Sequence, residues 1–380
     1  MNELTSLLAD MVAIDSVNPD LVPGGSGEAA MAEFIADWGR QNGLETHVQE
    51  AAPGRPNVVL VARGSGGGKS LMLNAHTDVV GVSGMDAPFQ PVIEDGRMYG
   101  RGAYDMKSGL AACLLAAKAS QAMSLSGDVI VSAVADEEYG SIGTEALLAE
   151  WERWSADAVL IAEPTELAIS IAHRGFVWLE FEVTGVAAHG SRPQLGIDAI
   201  VKMGKALVAL DALDQRLHAQ PTHDLLGSGS LHASFVEGGE EVSMIPARCK
   251  LLVERRTIPG ESADGVEAEA QALLDDIAAT DPDFKARVRA TFSRSPYGIA
   301  AEHTLVQTLK RHADTCLGGE VPVIGSSWWM DAALFGDHEI PTVVLGPAGA
   351  GAHARVEWVD LASVARCQEI YTALIADFCR

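Results

Sequence analysis

The sequence predicts an α/β protein in which a smaller α+β domain is inserted into a larger α/β domain. Three observations lead to this prediction. Apolar runs that end in acidic residues or histidine alternate with stretches of helical spacing, which is typical of a largely parallel sheet. Residues 174–293 instead contain strands in which apolar and polar residues alternate. The length of 380 residues also exceeds the roughly 250–300 residues at which a single core usually divides.

The larger domain is predicted on both sides of the insertion. Before it, apolar spacing predicts helices at 3–14, 27–42 and 110–123, and strands that begin near residues 57, 71, 128 and 158. After it come a helix at 302–314, a strand at 342–346 and a long helix at 359–378. We therefore expect residues 1–173 and 294–380 to form one domain.

The inserted segment, residues 174–293, has its own order of elements. Its predicted elements are a strand at 175–185, a helix at 197–217, strands at 230–237 and 247–256, a helix at 262–279 and a strand at 285–293. This β-α-β-β-α-β order is the ferredoxin-like pattern. We therefore expect a compact α+β domain of that type.

Composition and charge exclude several classes of protein. A net charge of −25 argues against nucleic-acid binding, because a phosphate backbone would repel such a surface. The N-terminal MNELTSLLADMVAID lacks the basic start of a signal peptide, and no apolar run reaches the length of a membrane span. Five scattered cysteines without a CxxC pair are typical of reduced thiols. We therefore expect a cytoplasmic protein without nucleic-acid or membrane partners.

The glycine-rich run GSGGGKS, residues 64–70, resembles a phosphate-binding loop but does not match its pattern. Arg63 stands where the first glycine of that pattern is needed, and a strand follows the run instead of a helix. We expect this run to form a flexible hairpin instead.

The stretch LMLNAHTDVV places His76 and Asp78 at the end of an apolar strand. Side chains two residues apart share one face of a strand, and a carboxylate commonly orients an imidazole that binds a metal. A histidine at a strand end is more often structural. The pair becomes informative because similar groups come after other predicted elements.

Acidic residues and a second histidine stand at further element ends, namely Asp105, Glu137, Glu138, Glu163 and His353. Taken alone, Asp105 could simply cap the helix that comes after it. The other four follow apolar strands, and His353 lies in a Gly/Ala-rich loop. Because ligands of α/β sheets bind at the carboxyl ends of strands, we expect these side chains to form one site.

The chemistry of this set points to a pair of metal ions. Imidazole and carboxylate without thiolate suit Zn²⁺, Mn²⁺ or Co²⁺. Two ions about 3.5–4 Å apart need a bridging carboxylate and can share a water. One histidine and one carboxylate per ion plus the bridge use five ligands: His76, Asp105, Glu138, Glu163 and His353. One acid is then left as general base, and the Glu137–Glu138 pair is where we expect it.

Five segments resemble the M20 metallopeptidase and deacylase family, whose members include acetylornithine deacetylase and succinyl-diaminopimelate desuccinylase. These segments are HTDVV, GRGAYDMKSG, DEEYGSIGT, AEPT and GAHARVEWV, and they keep the family order along nearly the whole chain. The resemblance implies a zinc-peptidase-like α/β catalytic domain with an inserted ferredoxin-like α+β lid and dimerisation domain. It also implies two divalent metal ions, Zn²⁺ first, with Co²⁺ or Mn²⁺ as alternatives.

The resemblance also implies a role for each residue of the site. The implied ligands are His76 and Glu163 for one ion, Glu138 and His353 for the other, and Asp105 as the bridge. Asp78 orients His76, and Glu137 takes a proton from the shared water and delivers it to the leaving amine. A cis peptide bond is implied between Asp105 and Met106.

Two residues of the inserted domain match family motifs. AAHGSRP places His189 at the lid histidine, which stabilises the oxyanion in a neighbouring subunit of a homodimer. ERRTIPG places Arg256 as the clamp for a substrate carboxylate, a task that suits a planar guanidinium. Without the motifs, a surface-loop histidine and an edge-strand charge would be the ordinary interpretations.

The substrate is expected to be a small N-acyl amino acid or a dipeptide. Ala333 stands where diacid-specific members often have arginine, and Trp328 and Trp329 add apolar bulk, which favours a monoacyl or more apolar substrate. These tryptophans could equally be core residues. We expect a deacylase of the acetylornithine deacetylase kind, with a dipeptidase or carboxypeptidase as the alternative. A non-catalytic binding protein is disfavoured because base and ligands are all present.

Overall fold

The computed structural model describes residues 2–380, and the chain divides into two compact units. The first unit comprises Met1–Ile171, Ile299–Ile324 and Met330–Arg380, and the second comprises Ala172–Gly298 and Gly325–Trp329. The second unit thus begins close to the predicted start of the insertion and also includes a short later segment that the sequence did not indicate. Its function as a lid and dimerisation domain stays a prediction.

The helices and strands are numbered along the chain. Up to residue 173 they are α1 (Glu3–Val12), α2 (Ala29–Gln41), β1 (Glu45–Ala52), β2 (Arg55–Ala62), β3 (Leu71–His76), β4 (Val92–Glu94), β5 (Arg97–Tyr99), α3 (Lys107–Ser120), β6 (Val129–Val134), α4 (Ile142–Ala149), α5 (Trp151–Trp154), β7 (Ala158–Ile161) and β8 (Ile169–His173).

The next elements, up to residue 298, are β9 (Gly175–Thr184), β10 (Ala188–His189), a 3₁₀ turn (Pro193–Leu195), α6 (Ala199–Ala219), β11 (Ser230–Gly238), β12 (Met244–Ile245), β13 (Arg248–Thr257), α7 (Ala263–Thr280), β14 (Lys285–Arg294) and β15 (Tyr297–Gly298). The remaining elements are α8 (Thr304–Leu317), β16 (Val323–Ser326), α9 (Ala332–Asp337), β17 (Thr342–Val344), β18 (Gly349–Ala350), β19 (Trp358–Asp360) and α10 (Leu361–Phe378).

The first unit contains a large mixed sheet with a parallel centre. Its strand order includes β1-β2-β6-β3-β7-β17-β8. The four central strands β6, β3, β7 and β17 run parallel, while β2 pairs with β6 and β1 with β2 in antiparallel fashion. The central strands are buried along their whole length, as expected for parallel strands covered by helices. The predicted α/β fold is therefore confirmed.

The hairpin predicted for GSGGGKS is wrong. Strands β2 and β3 do not pair with each other, because β6 lies between them and pairs with both. The glycine run passes instead over the start of β6. A Cβ placed on Gly64 or Gly68 would lie within 2.4–2.5 Å of the Gly127 backbone, so this close approach requires glycine.

Helix α3 is the central helix of the first unit. It packs against α1, α10 and β3, and twelve of its fourteen residues are buried, Cys113 among them. This explains why its sequence is apolar on nearly every face. The helix begins at Lys107, three residues before the predicted start, so it comes almost directly after Asp105.

The second unit contains a four-stranded antiparallel sheet in the order β11-β13-β9-β14. Val177, Leu179, Phe181 and Val183 of β9 join residues of α6 and α7 in one apolar core. The intervening side chains of β9 are Trp178 and the charged Glu180 and Glu182, and Glu182 pairs with Arg248 of β13 at 2.6 Å. This alternation is the one predicted from the sequence. Within residues 2–380, no helix combines the length and apolar character needed to cross a membrane.

Candidate metal centre

The parallel strands of the first unit bring the predicted site residues together at their carboxyl ends. His76 is the last residue of β3, Glu137 and Glu138 follow β6, and Glu163 follows β7. These three strands are neighbours in the sheet. The next parallel strand, β17, is followed along the chain by β18 and then by the loop that carries His353. Adjacent parallel strands therefore deliver acids and imidazoles to one edge, as the sequence predicted.

Asp105 lies between the two imidazoles. Its Oδ1 is 3.2 Å from Nε2 of His76, and its Oδ2 is 3.4 Å from Nε2 of His353. Nε2 of His76 is also 3.5 Å from Oε1 of Glu163, and Nε2 of His353 is 3.0 Å from Oε2 of Glu138. The five predicted ligands thus form two N/O clusters that share one carboxylate. The Asp105–Met106 peptide bond is cis.

The donor set and its spacing fit divalent metal ions. Two ligands about 2.0–2.1 Å from one tetrahedral Zn²⁺ stand about 3.3 Å apart, and the four distances between imidazole and carboxylate atoms lie between 3.0 and 3.5 Å. His76, Asp105 and Glu138 form one potential metal-binding group, and His76, Glu137 and Glu163 form another. An oxygen of Glu137 therefore lies at the same centre.

Burial and mutual repulsion shape the charges of the centre. Burial, with the neighbouring Glu163, raises the pKa of Glu137 well above its usual range. Burial, with the neighbouring Asp105, similarly raises the pKa values of Glu138 and Glu163. Bonds with Asp105 and Glu138 raise the pKa of His353 to about 10. Bound divalent cations would stabilise the charged forms of these crowded acids.

Asp78 orients His76 mainly through its backbone. Nδ1 of His76 donates to the carbonyl oxygen of Asp78 at 3.0 Å, whereas the carboxylate Oδ1 is 3.6 Å away. The Asp78 carboxylate instead accepts the backbone N–H groups of Glu137 at 3.1 Å and Glu138 at 3.3 Å. Asp78 thus fixes the imidazole and, on its other side, the loop that carries two acids of the centre.

Two glycines let other segments approach the turn that carries Glu163. A Cβ placed on Gly109 of α3 would lie 2.1 Å from the carbonyl oxygen of Ala162. A Cβ on Gly346 would lie equally close to the carbonyl oxygen of Glu163. Neither position can accept a larger residue without moving the backbone beside this acid.

A small second sheet supports the loops that carry Asp105 and His353. Its order is β18-β19-β5-β4, with β18 and β19 flanking the His353 loop and β5 leading to the Asp105 loop. Glu357 links the two loops: its buried carboxylate accepts Arg101 at 2.6 Å and the backbone N–H of Asp105 at 3.0 Å. The sequence did not predict this sheet, because its strands are only two or three residues long.

His189 and Arg256 belong to the second unit. His189 is exposed, and its Nδ1 lies 2.8 Å from Oγ of Ser191. Arg256 donates to Glu254 at 2.7 Å, and its guanidinium lies 5.3 Å from the ring centroid of Phe176. Their predicted roles at the centre stay predictions.

The tryptophans of the 325–335 segment differ in their surroundings. Trp329 donates its indole N–H to the carbonyl oxygen of Ser295 at 3.1 Å and contacts the ring of Phe176, whereas Trp328 is half-exposed. Ala333 is buried. Trp329 therefore packs against a neighbouring ring while it stays partly exposed, and the effect of the two tryptophans on the substrate stays a prediction.

Two polar residues that bond to groups supporting the centre were not predicted from the sequence, and neither was a third, Asp331: burial raises the pKa of Glu137, and the charge of Asp331 adds to that rise. Asn18 donates to Asp78 at 2.7 Å, Glu357 holds the Asp105 loop, and the buried Asp331 accepts Thr144 Oγ1 at 2.5 Å. Glu357 lies within the GAHARVEWV segment, so its burial could have been suspected. Asn18 stands in a turn-rich stretch, and nothing in the local pattern separates it from an ordinary turn residue.

Comparison with known proteins agrees with this centre. Residues 72–377 match the model for peptidase family M20/M25/M40. Acetylornithine deacetylase from Myxococcus xanthus is 29% identical over 397 aligned residues, covering 99% of this chain and 97% of that protein. N-formyl-4-amino-5-aminomethyl-2-methylpyrimidine deformylase from Halalkalibacterium halodurans is 27% identical, with coverages of 99% and 94%.

Solved structures share the fold. Aminopeptidase PepT from Bacillus cereus superposes with a TM-score of 0.82 at 19% identity, covering 99% of this chain and 98% of that one. A dinuclear metal-binding peptidase of the M20 family from Bacillus subtilis gives a TM-score of 0.76 at 16% identity, with coverages of 99% and 97%. With most of its length matched by the family model, this chain belongs to peptidase family M20/M25/M40 and is a metal-dependent hydrolase.

Proposed function

We propose that this protein is a dinuclear metal-dependent amidohydrolase that removes the acyl group from a small N-acyl amino acid. The observation that carries the proposal is the position of Asp105, whose two carboxylate oxygens face the Nε2 atoms of His76 and His353. A carboxylate shared between two imidazole–carboxylate clusters is the arrangement that two neighbouring cations require. His76 and Glu163 would hold one cation, and Glu138 and His353 the other.

Glu137 is the general base of the proposed reaction. Bound divalent cations supply a Lewis acid for the scissile carbonyl and lower the pKa of a water molecule. Glu137 takes a proton from the attacking water as the water oxygen bonds to the carbonyl carbon. When the C–N bond breaks, Glu137 returns that proton to the amine nitrogen, so the products are a carboxylic acid and a free amine. The oxygen of Glu137 near His76 and Glu163 supports this assignment.

The proposed substrate carries one free carboxylate and an uncharged acyl group. Arg256 is the proposed clamp for the carboxylate, since its planar guanidinium keeps N–H donors beyond the one bonded to Glu254. A second carboxylate on the acyl group would need another cation, and the buried Ala333 supplies none. The curated relatives named above remove acetyl and formyl groups by name, which supports a small acyl group.

We propose Zn²⁺ as the native metal and a homodimer as the active form. In the second unit, β11 is an edge strand whose one partner among residues 2–380 is β13, and it exposes Phe235 and Val236. Helix α6 of the same unit exposes Val201 and Val208. Exposed apolar side chains beside an unpaired strand edge are typical of an association surface. In such a dimer, the exposed His189 would stabilise the oxyanion in the partner's site.

A substrate and metal panel tests the proposed reaction. The metal-free protein is loaded with Zn²⁺, Co²⁺ or Mn²⁺ and assayed against N-acetyl and N-formyl amino acids, N-succinyl amino acids and dipeptides. We expect chelation to abolish hydrolysis reversibly and monoacyl substrates to be preferred. Faster cleavage of dipeptides would replace the deacylase with a dipeptidase, and activity that survives complete metal removal would refute the metal mechanism.

Analytical ultracentrifugation tests the dimer separately. We expect the sedimentation coefficient of a dimer, and we expect Phe235→Asp to shift it towards the monomer because a buried carboxylate would lack a partner. A wild-type protein that remains monomeric at all concentrations would remove the role across subunits proposed for His189.

A further inference from the structure

We propose that Asn18 is a positioning residue of the metal centre, because its side-chain amide joins Asp78 and Asp136 and thereby fixes the loop that presents Glu137 and Glu138. This inference rests on the proposed function. It concerns a residue that neither contacts the clustered ligands nor belongs to a matched motif.

The side chain of Asn18 is completely buried and uses its full bonding capacity. Its Nδ2 donates to Oδ2 of Asp78 at 2.7 Å and to Oδ1 of Asp136 at 2.8 Å. Its Oδ1 accepts the backbone N–H groups of Asp20 at 3.0 Å and Leu21 at 3.2 Å. Only an amide offers two donors on one atom together with an acceptor, so no other residue of this size can make all four bonds.

The two carboxylates that Asn18 joins both hold the acidic loop, Asp78 through hydrogen bonds and Asp136 as the residue directly before Glu137. Asp78 accepts the backbone N–H groups of Glu137 and Glu138. Asp136 stands directly before Glu137 with a φ of 69°, and its carbonyl oxygen accepts the N–H of Gly140 at 3.1 Å. A non-glycine residue in this left-handed region costs free energy that its surroundings must offset. The bond from Asn18 is one of the contacts that hold Asp136 there.

Asn18 itself is held firmly by the segment that comes after His76. Its backbone N–H donates to the carbonyl oxygen of Val79 at 2.9 Å, and the N–H of Val79 donates to the carbonyl oxygen of Ser16 at 3.0 Å. Val17 and Val79 form an isolated parallel bridge. The turn that carries Asn18 is therefore hydrogen-bonded to the segment that follows β3. This fixes the position of the Asn18 side chain relative to Asp78 and Asp136.

The charges around Asn18 make its two N–H donors important. Asp78 and Asp136 are both fully buried, so each carboxylate depends on donors from the protein. Arg55 donates to Asp136 at 3.0 Å and to Glu28 at 2.6 Å, but it makes no bond to Asp78 among the contacts of residues 2–380. Loss of the Asn18 amide would leave two buried carboxylates with fewer donors and without the one side chain that bonds to both of them in the described residues.

A graded set of variants tests this role. Asn18→Ser keeps one donor, Asn18→Ala keeps none, and Asn18→Asp adds a third carboxylate. The matched control is Asn74→Ala, which removes another buried amide from the same unit, one that donates to Ser132 Oγ at 2.9 Å. Each protein is loaded with Co²⁺, and its visible absorption spectrum, its Co²⁺ affinity by equilibrium dialysis, and kcat and KM are measured.

We expect Co²⁺ affinity or kcat to fall about 10–100-fold in Asn18→Ala, as is typical when a residue behind a metal ligand is removed. The decrease should be smaller in Asn18→Ser and larger in Asn18→Asp. In all three variants KM should change little and the Co²⁺ absorption bands should shift. Asn74→Ala should keep the wild-type spectrum even where its unfolding temperature falls, which separates positioning from general stability.

The outcomes distinguish this inference from the proposed function. A folded Asn18→Ala with wild-type Co²⁺ affinity, spectrum and kcat would overturn the inference alone. If that variant does not fold, the same three readouts of Asn18→Ser decide, and wild-type values there would also overturn it. A wild-type protein that binds no Co²⁺ would overturn the proposed function and, with it, this inference.

Discussion

The two histidines of the centre stand in contrasting surroundings. His76 ends a central strand of the large sheet, and its side chain is 1% exposed. His353 lies in a loop after the two-residue strand β18, with a φ of 61° and a side chain that is 56% exposed. The first imidazole is held by buried neighbours and the second by a loop in a strained conformation. A metal site whose histidine ends a strand is better organised before the metal binds than one whose histidine lies in a loop. We therefore expect the cation at His76 to bind more tightly than the cation at His353.

The largest effect should come from removing each imidazole in turn. His76→Ala removes the ligand closest to Asp105 and Glu163, so we expect it to abolish hydrolysis and to lose the tighter cation. His353→Ala should retain one cation per chain, because its side is the weaker one. Metal content after gel filtration, measured by atomic emission, checks both variants. Equal retention of metal by the two variants would contradict the proposed difference between the sides.

Three of the five proposed ligands were predictable because each has a local signal, whereas Asp105 was assigned through the family motif. His76, Glu138 and Glu163 all come after short apolar runs, and parallel strands bring the residues at their carboxyl ends to one edge of the sheet. The supporting bonds have no such signal. Asn18 reaches Asp136 across 118 residues, and Glu357 reaches Asp105 across 252. Polar residues in loops resemble one another in sequence, and only the packed fold decides which of them is buried beside a ligand.

The same reasoning explains which elements were found and which were missed. Strand β9 and helix α3 were predicted because alternation or helical spacing persists over ten or more residues. The small sheet that flanks His353 was missed, since strands of two or three residues are too short to show a periodicity. The hairpin expected at GSGGGKS does not form, because strands that are neighbours in sequence need not be neighbours in the sheet. Here β6 lies between β2 and β3.

Glu137→Gln should have the next largest effect, on chemistry and not on binding. Glutamine keeps the shape of the side chain but cannot accept a proton from water, so we expect kcat to fall about 10²–10⁴-fold. Metal content should stay at the wild-type value, because Glu137 is not among the five proposed ligands. Glu152→Gln, an exposed acid on α5, is the matched control. A kcat within tenfold of wild type would assign the base elsewhere.

Glu357→Gln should weaken binding of the cation at His353 more than binding of the cation at His76. The Glu357 carboxylate accepts the backbone N–H groups of Gly102, Tyr104 and Asp105 as well as Arg101. A glutamine would turn an N–H₂ group towards some of these donors. We expect the affinity for the cation at His353 to fall about 10–100-fold and that for the cation at His76 to fall less, because Glu357 joins the His353 loop to the loop of the shared Asp105. Glu320→Gln, which replaces an exposed acid, is the control. An equal loss of affinity for both cations would contradict a larger effect of Glu357 at His353.

A more gradual effect should be the pH dependence of metal binding at His353. Without metal, the pKa of His353 is about 10, so its imidazole is protonated near neutral pH and must release that proton to a cation. Affinity should therefore rise with pH, by at most about tenfold per pH unit for each proton released. Titration calorimetry in buffers of different ionisation enthalpy measures the number of protons. A count of zero would contradict the protonated state.

The metal-free fold should show the opposite trend. The ordinary pKa of histidine is about 6.5, and the folded value for His353 is higher, so its pairs with Asp105 and Glu138 stabilise the fold fully below about pH 6.5. That contribution is lost as the pH rises to about 10. Because the imidazole is half-exposed, solvent screens these pairs and the change should be small. Denaturant unfolding of the metal-free wild type and of His353→Gln across this range should converge at the upper end, since the wild-type imidazole is then neutral and the advantage of its charge has disappeared.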